Sequence, residues 1–192
     1  MKKIILLLIV VLFISTACSD DSSSPIKTKE LFPAKIGNKW TYLVTTGGIS
    51  VNKVNEIVSD ELVNDIKWYN LALNSQIVMQ LRNANDGMHV LYSDSNSVNR
   101  KDVLFYKYPV TELTEYDADG NYVKIVSLDK KVTVPAGTFS CYYYNVVYAD
   151  DSSKYEEYFA PGVGVVKLVE YKDSVGFRKP ITTTELESYS LK

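Results

Sequence analysis

The sequence predicts an all-β fold: an antiparallel, strongly bent sheet of about ten to twelve strands, arranged as a half-open barrel or a sandwich, with at most one short helix. Three observations predict it. Short runs of alternating apolar and polar residues recur between Gly, Asn and Asp turn signals. Residues that favour strands are abundant, 15 tyrosines among them. No helical period long enough for a crossover separates the runs, so consecutive strands pair antiparallel.

The elements follow in order. Pro33 and Gly37-Asn38 punctuate the start of the fold, and Asn38 to Thr46 reads as a strand with Trp40, Tyr42 and Val44 on one face. Gly47-Gly48 then turns the chain into Ile49 to Val58. Glu61 to Ala72 has the length of a helix, but Trp68, Tyr69 and its Ile and Val content favour extended chain. Ile77, Met79 and Leu81 alternate with Gln76, Gln80 and Arg82, and "NANDG" at 83–87 leads to Met88, Val90 and Tyr92. A further hairpin runs from Glu112 to Tyr116 through "DADG" to Tyr122 to Val134. Phe139 to Tyr148 places Tyr142, Tyr144, Val146 and Tyr148 on one face, and Lys154 to Phe159 follows a polar turn. "APGVG" at 160–164 breaks that strand, Val165 to Tyr171 resumes it, and threonine-rich Ile181 to Ser190 closes the fold. No repeat of 20 to 50 residues is visible, which argues against a propeller or solenoid.

Ahead of this lies a different kind of segment. Lys2 and Lys3 precede an unbroken apolar run, Ile4 to Ile14, and the small residues Ser15 to Ala17. That is the three-part build of an export signal, and the run is too short for a membrane helix, which needs roughly 20 residues. Residues 1–17 therefore read as a lipoprotein signal peptide. Cleavage after Ala17 makes Cys18 the first mature residue and the site of lipidation, because "STAC" resembles the bacterial lipobox, with Ser15 where Leu or Val is usual. Ser15 and Ala17 also suit ordinary signal peptidase, so simple secretion is the competing reading. Two or more acyl chains hold a protein stably at a bilayer where one holds only marginally. "SDDSSSP" has nothing apolar to bury, so residues 18–30 read as a lipid-anchored flexible stalk and 31–192 as a single β domain. The acids after Cys18 are similar to the signal that sends lipoproteins of Bacteroidota-type bacteria to the cell surface. The expected location is the bacterial outer membrane, on its periplasmic or cell-surface face.

Without residues 1–17 the chain has 19 basic and 23 acidic residues and no basic patch, which leaves nucleic acid out of the expected partners. Cys141, mid-strand among apolar neighbours, reads as a buried thiol.

Three segments carry a resemblance: "FPAKIGNKWTY", "VTVPAGTFSCYYYNVVY" at 132–148 and "EEYFAPGVGVVKLVEY" at 156–171. In that order they resemble a group of uncharacterised bacterial lipoproteins marked by G-x-x-W-x-Y, V-P-A-G-T-F and Y-x-A-P-G-V-G-x-V. The resemblance implies an envelope lipoprotein and no particular chemistry. Physically, Pro135 and Gly137 bracket a tight reversal, and Gly162 and Gly164 allow a sharp bend or close approach of backbones.

Catalytic, metal and cofactor sites are not expected. His89 is the one histidine, no G-x-S-x-G accompanies it, and one His with one Cys cannot build a zinc site. In "DADGN", Asp117, Asp119 and Asn121 alternate as oxygen donors, but the twelfth position of a calcium loop counted from Asp117 is Leu128, so an Asp-Gly hairpin turn is the expectation. The tyrosine load remains. It predicts a non-enzymatic binding or structural module that meets an envelope protein or glycan through Trp40, Tyr42, Tyr142, Tyr144 and Tyr148. The alternative is a carrier of a lipid or other apolar ligand in the concavity of the bent sheet. For the anchor, Cys18→Ala is expected to release the protein from membranes; a variant that still pellets with them after a high-salt wash would refute lipidation.

Overall fold

The computed structural model describes residues 29–93, 100–149, 153–174 and 177–192. The expected signal peptide, Cys18 and the stalk as far as residue 28 lie outside them. Twelve strands and no helix occur among the described residues. They are β1 Lys39–Thr46, β2 Ile49–Val63, β3 Ile66–Leu73, β4 Gln76–Ala84, β5 Gly87–Ser93, β6 Arg100–Lys107, β7 Glu115–Ala118, β8 Asn121–Val134, β9 Gly137–Val147, β10 Lys154–Ala160, β11 Gly164–Ser174 and β12 Phe177–Ser190.

All twelve belong to one antiparallel sheet of order β6-β5-β4-β3-β2-β1-β12-β11-β10-β9-β8-β7. Consecutive strands are neighbours throughout, except that β1 joins β12 and β6 does not pair with β7. The sheet curls into a nearly closed barrel, with β6 and β7 as the two sides of a seam. Of the two expected architectures the barrel is the one formed.

Turn chemistry explains the hairpins. Gly47-Gly48, Asn64-Asp65, Asn74-Ser75 and Asp119-Gly120 are two-residue loops in which both residues have positive φ. That geometry matches the twist of the flanking strands and is tolerated best by Gly, Asn and Asp. The Asn64-Asp65 turn divides the run from Glu61 to Ala72, which is the end of β2 and most of β3 rather than one element. In the "DADGN" turn, Asp117 Oδ1 accepts from Gly120 N–H at 2.8 Å. Asn121 Oδ1 accepts from Ala149 N–H at 3.2 Å. Strand β6 and its pairing with β5 have no counterpart among the strands expected from sequence.

The core fills the barrel interior. Along β1, Trp40, Tyr42 and Val44 are buried and alternate with more exposed neighbours. Trp40 Nε1 donates to Val163 O at 2.6 Å and Tyr42 Oη to Val165 O at 3.0 Å, so the G-x-x-W-x-Y segment is bonded directly to the A-P-G-V-G segment. The N-terminal segment closes this end of the barrel: Leu31 and Phe32 are buried, and the Phe32 ring lies 4.7 Å from that of Trp40. Glu30 O accepts from Gly162 N–H at 2.7 Å, which ties the leading residues to the β10–β11 turn. Gly164 has φ +101, and a Cβ there would sit 2.9 Å from the Phe32 ring, so only glycine admits the plug. Ala136 N–H, in the reversal between Pro135 and Gly137, donates to Leu186 O of β12 at 3.0 Å. Cys141 is buried, and burial pushes its thiol up to about 12.

Side chains bridge the seam that the backbone leaves open. Tyr116 Oη, from β7, accepts from Lys107 N–H at 3.0 Å and donates to Phe105 O at 2.8 Å, both on β6. One hydroxyl thus satisfies an edge donor and an edge acceptor. Tyr144 Oη from β9 donates to Lys107 O at 2.9 Å, and Lys101 of β6 pairs with Asp119 of the β7–β8 turn. Tyr116→Phe strips both seam bonds and is expected to cost roughly 1–3 kcal/mol, the usual penalty for stranding buried partners. Thermal unfolding checks it against Tyr189→Phe at an exposed position; equal melting temperatures for the two variants would remove Tyr116 as the closure.

Candidate functional site

The barrel interior is incompletely filled. A cavity of about 390 Å³ is lined by β1 to β6 and β10 to β12, with Tyr148 just beyond β9 and Phe32 of the N-terminal segment. Its floor is buried and mostly apolar, formed by Phe32, Leu81, Met88 and Phe159. Lys53, Asn55, Glu170 and Thr182 are partly exposed and form a polar rim. Because Trp40 and Phe32 close one end while Thr46 pairs with Thr182 at the other, the mouth lies opposite the point where the chain enters the barrel.

One acid stands inside this apolar wall. Glu157 of β10 is only 2% exposed and lines the cavity. Its position follows from strand alternation: in "KYEEYFA" it shares a face with Tyr155 and Phe159, the face that meets the interior. Hydroxyls of Tyr106 and Tyr148 donate to its carboxylate. Burial disfavours the charged form and raises the acid from 4.5 to about 7, while the two tyrosine bonds pull the other way. Desolvation, with Glu157 adding to it, holds Tyr106 and Tyr148 well above the usual phenol range.

The five aromatic residues singled out from sequence are distributed unevenly. Trp40 and Tyr144 are fully buried and Tyr42 is 4% exposed, whereas Tyr142 and Tyr148 are half-buried. Tyr42 and Tyr148 line the cavity. Trp40 and Tyr144 spend their polar atoms on backbone carbonyls. The rings of Trp40 and Tyr144 are core, those of Tyr42 and Tyr148 are cavity wall, and Tyr142 is half-buried outside the cavity. The most distinctive members of the site, Glu157 and Tyr106, were not among the expected residues. The signal for Glu157 was present as an acid at the in-facing position of an otherwise apolar and aromatic alternation.

His89 stands elsewhere, on β5. Its Nδ1 is 2.7 Å from Asp102 Oδ1 and its Nε2 is 2.9 Å from Asp86 Oδ1. Arg82, stacked 5.2 Å over Trp68, donates to Asp102 at 2.6 Å. With a carboxylate at each ring nitrogen, this side chain joins β4, β5 and β6 near the seam.

No protein-family model matches the sequence, and no curated protein matches it significantly. Solved structures do share the fold. A candidate lipoprotein from Parabacteroides distasonis superposes with a TM-score of 0.55 at 14% identity, over 85% of this chain and 99% of that one. A candidate exported protein with a YmcC-like fold from Bacteroides fragilis gives 0.51 at 16% identity, over 85% and 100%.

The acid sets a pH test. Glu157 binds its proton more tightly folded than unfolded, so between 4.5 and about 7 the native state holds more protons, and its stability falls as pH rises through that window. Below it both states are protonated and the penalty is absent; above it the penalty is complete, roughly 3 kcal/mol. Glu157→Gln is expected to remove this component. Urea unfolding of both proteins from pH 4 to 8 measures it, and stability curves that stay parallel would show that Glu157 carries no such burden.

Proposed function

We propose that this chain is a lipid-anchored protein of the bacterial outer membrane, a non-catalytic carrier whose barrel interior holds a small, mainly apolar ligand. The observation that carries the reading is the open cavity of about 390 Å³, apolar within and polar at its rim. Small-molecule sites have this character and start at roughly 300 Å³. An aromatic recognition surface is supported less well, because Trp40, Tyr42 and Tyr144 are buried.

The envelope location rests on the "STAC" segment and on the likeness in fold to a candidate lipoprotein and a candidate exported protein. An anchor at Cys18 would tether the closed end of the barrel, since the chain enters there. The mouth would then face away from the membrane, accessible to a ligand or to an envelope partner that supplies it.

The chain from residue 18 with Cys18→Ser, which lacks only the acyl chains, is purified without detergent and extracted with organic solvent for mass spectrometry. A stoichiometric apolar compound is expected. A clean extract from folded protein that also takes up no N-phenyl-1-naphthylamine would remove the carrier reading.

A further inference from the structure

The cavity has an apolar wall and a single buried charge-bearing group, and that combination selects a ligand chemistry. Glu157 accepts from two neutral hydroxyls, and among the described residues no cationic side chain is paired with it. A carboxylate buried without a cation is held at high cost. Around it stand aromatic rings: Tyr106 lies 4.6 Å from Phe159 and 5.3 Å from Tyr144, centroid to centroid. An acid among aromatic rings in a largely apolar cavity attracts a cation twice over, by charge and by the ring quadrupoles.

We infer that the preferred occupant is a small apolar amine, its ammonium set against Glu157 and its hydrocarbon filling the space between there and the rim. The inference rests on the carrier reading and specifies its ligand. Anionic amphiphiles are disfavoured by the same acid. The rim carries one base, Lys53, and one acid, Glu170, and so offers no net charge of either sign. The ionisable groups that face Glu157 are Tyr106 from β6, Tyr116 from β7, Tyr144 from β9 and Tyr148 beyond it, all kept neutral by burial. Lys53 of β2 and Glu170 of β11 share the cavity at its mouth. Affinity for an amine should therefore rise with pH as Glu157 ionises, while affinity for a neutral analogue should not.

Isothermal titration of n-octylamine, n-octanol and n-octanoate into the same Cys18→Ser chain, at pH 5.5 and pH 8, tests this. At pH 8 octylamine is expected to bind roughly tenfold or more tighter than octanol, as a charged hydrogen bond in place of a neutral one implies. The advantage should shrink at pH 5.5 and fall to near parity in Glu157→Gln, whose folding is verified by its thermal melt. Octanol or octanoate binding as tightly as octylamine at pH 8, or an amine preference that survives Glu157→Gln, would overturn the amine inference and leave the carrier standing. Failure of all three to bind would overturn both.

Discussion

Pairing of β1 with β12 is the constraint on which this molecule depends. Every other neighbour relation in the sheet joins strands consecutive in sequence, which hairpin turns can nucleate locally. The β1–β12 ladder alone brings the ends of the domain together, at the largest loop-closure cost in the fold. It converts two meanders, β1 to β6 and β7 to β12, into one curled sheet. Trp40 and Tyr42 reinforce it by reaching from β1 to the carbonyls of Val163 and Val165, so the junction is held by buried side chains as well as by backbone. Asn38 adds a further tie at this end, accepting from Lys192 N–H at 2.8 Å.

Joining the chain ends moves the free edges to mid-sequence, and the seam between β6 and β7 is the consequence. Unpaired strand edges are templates for association with other chains. Here the Tyr116 hydroxyl occupies the C-terminal end of the β6 edge, the Lys101–Asp119 pair crosses near the opposite end, and His89 with its two aspartates stiffens the strands behind it. Side chains rather than a backbone ladder join the two edges.

A twelve-stranded barrel encloses more volume than its own side chains fill, so a cavity accompanies the fold. What distinguishes this one is the position of Glu157. A leucine there would pack the wall at no electrostatic cost, whereas the acid is retained with two tyrosine donors turned toward it. Stability given up inside a cavity, away from any ion pair among the described residues, is what the proposed ligand site would ask of this acid.

Much of the fold was legible in particular residues. Gly47-Gly48 and Asp119-Gly120 announce two-residue hairpins, and alternation sets Trp40, Tyr42 and Val44 on one face of β1. Asn64-Asp65 was masked by the flanking Leu62, Val63 and Ile66, which resemble a continuous buried run although Leu62 and Ile66 are exposed. The site was less legible, since Tyr106 and Glu157 are 51 residues apart and meet only because β6 and β10 curl toward each other across the barrel. By itself the sequence determined strand character, the turns marked by glycine, and the antiparallel pairing of the hairpins they join, because periodicity and turn chemistry act over a few residues. Only the tertiary structure decided that the sheet closes through its first and last strands, that Trp40, Tyr42 and Tyr144 are buried, and that one acid meets two tyrosines in a cavity. Those outcomes depend on curvature accumulated over twelve strands, which no local pattern encodes.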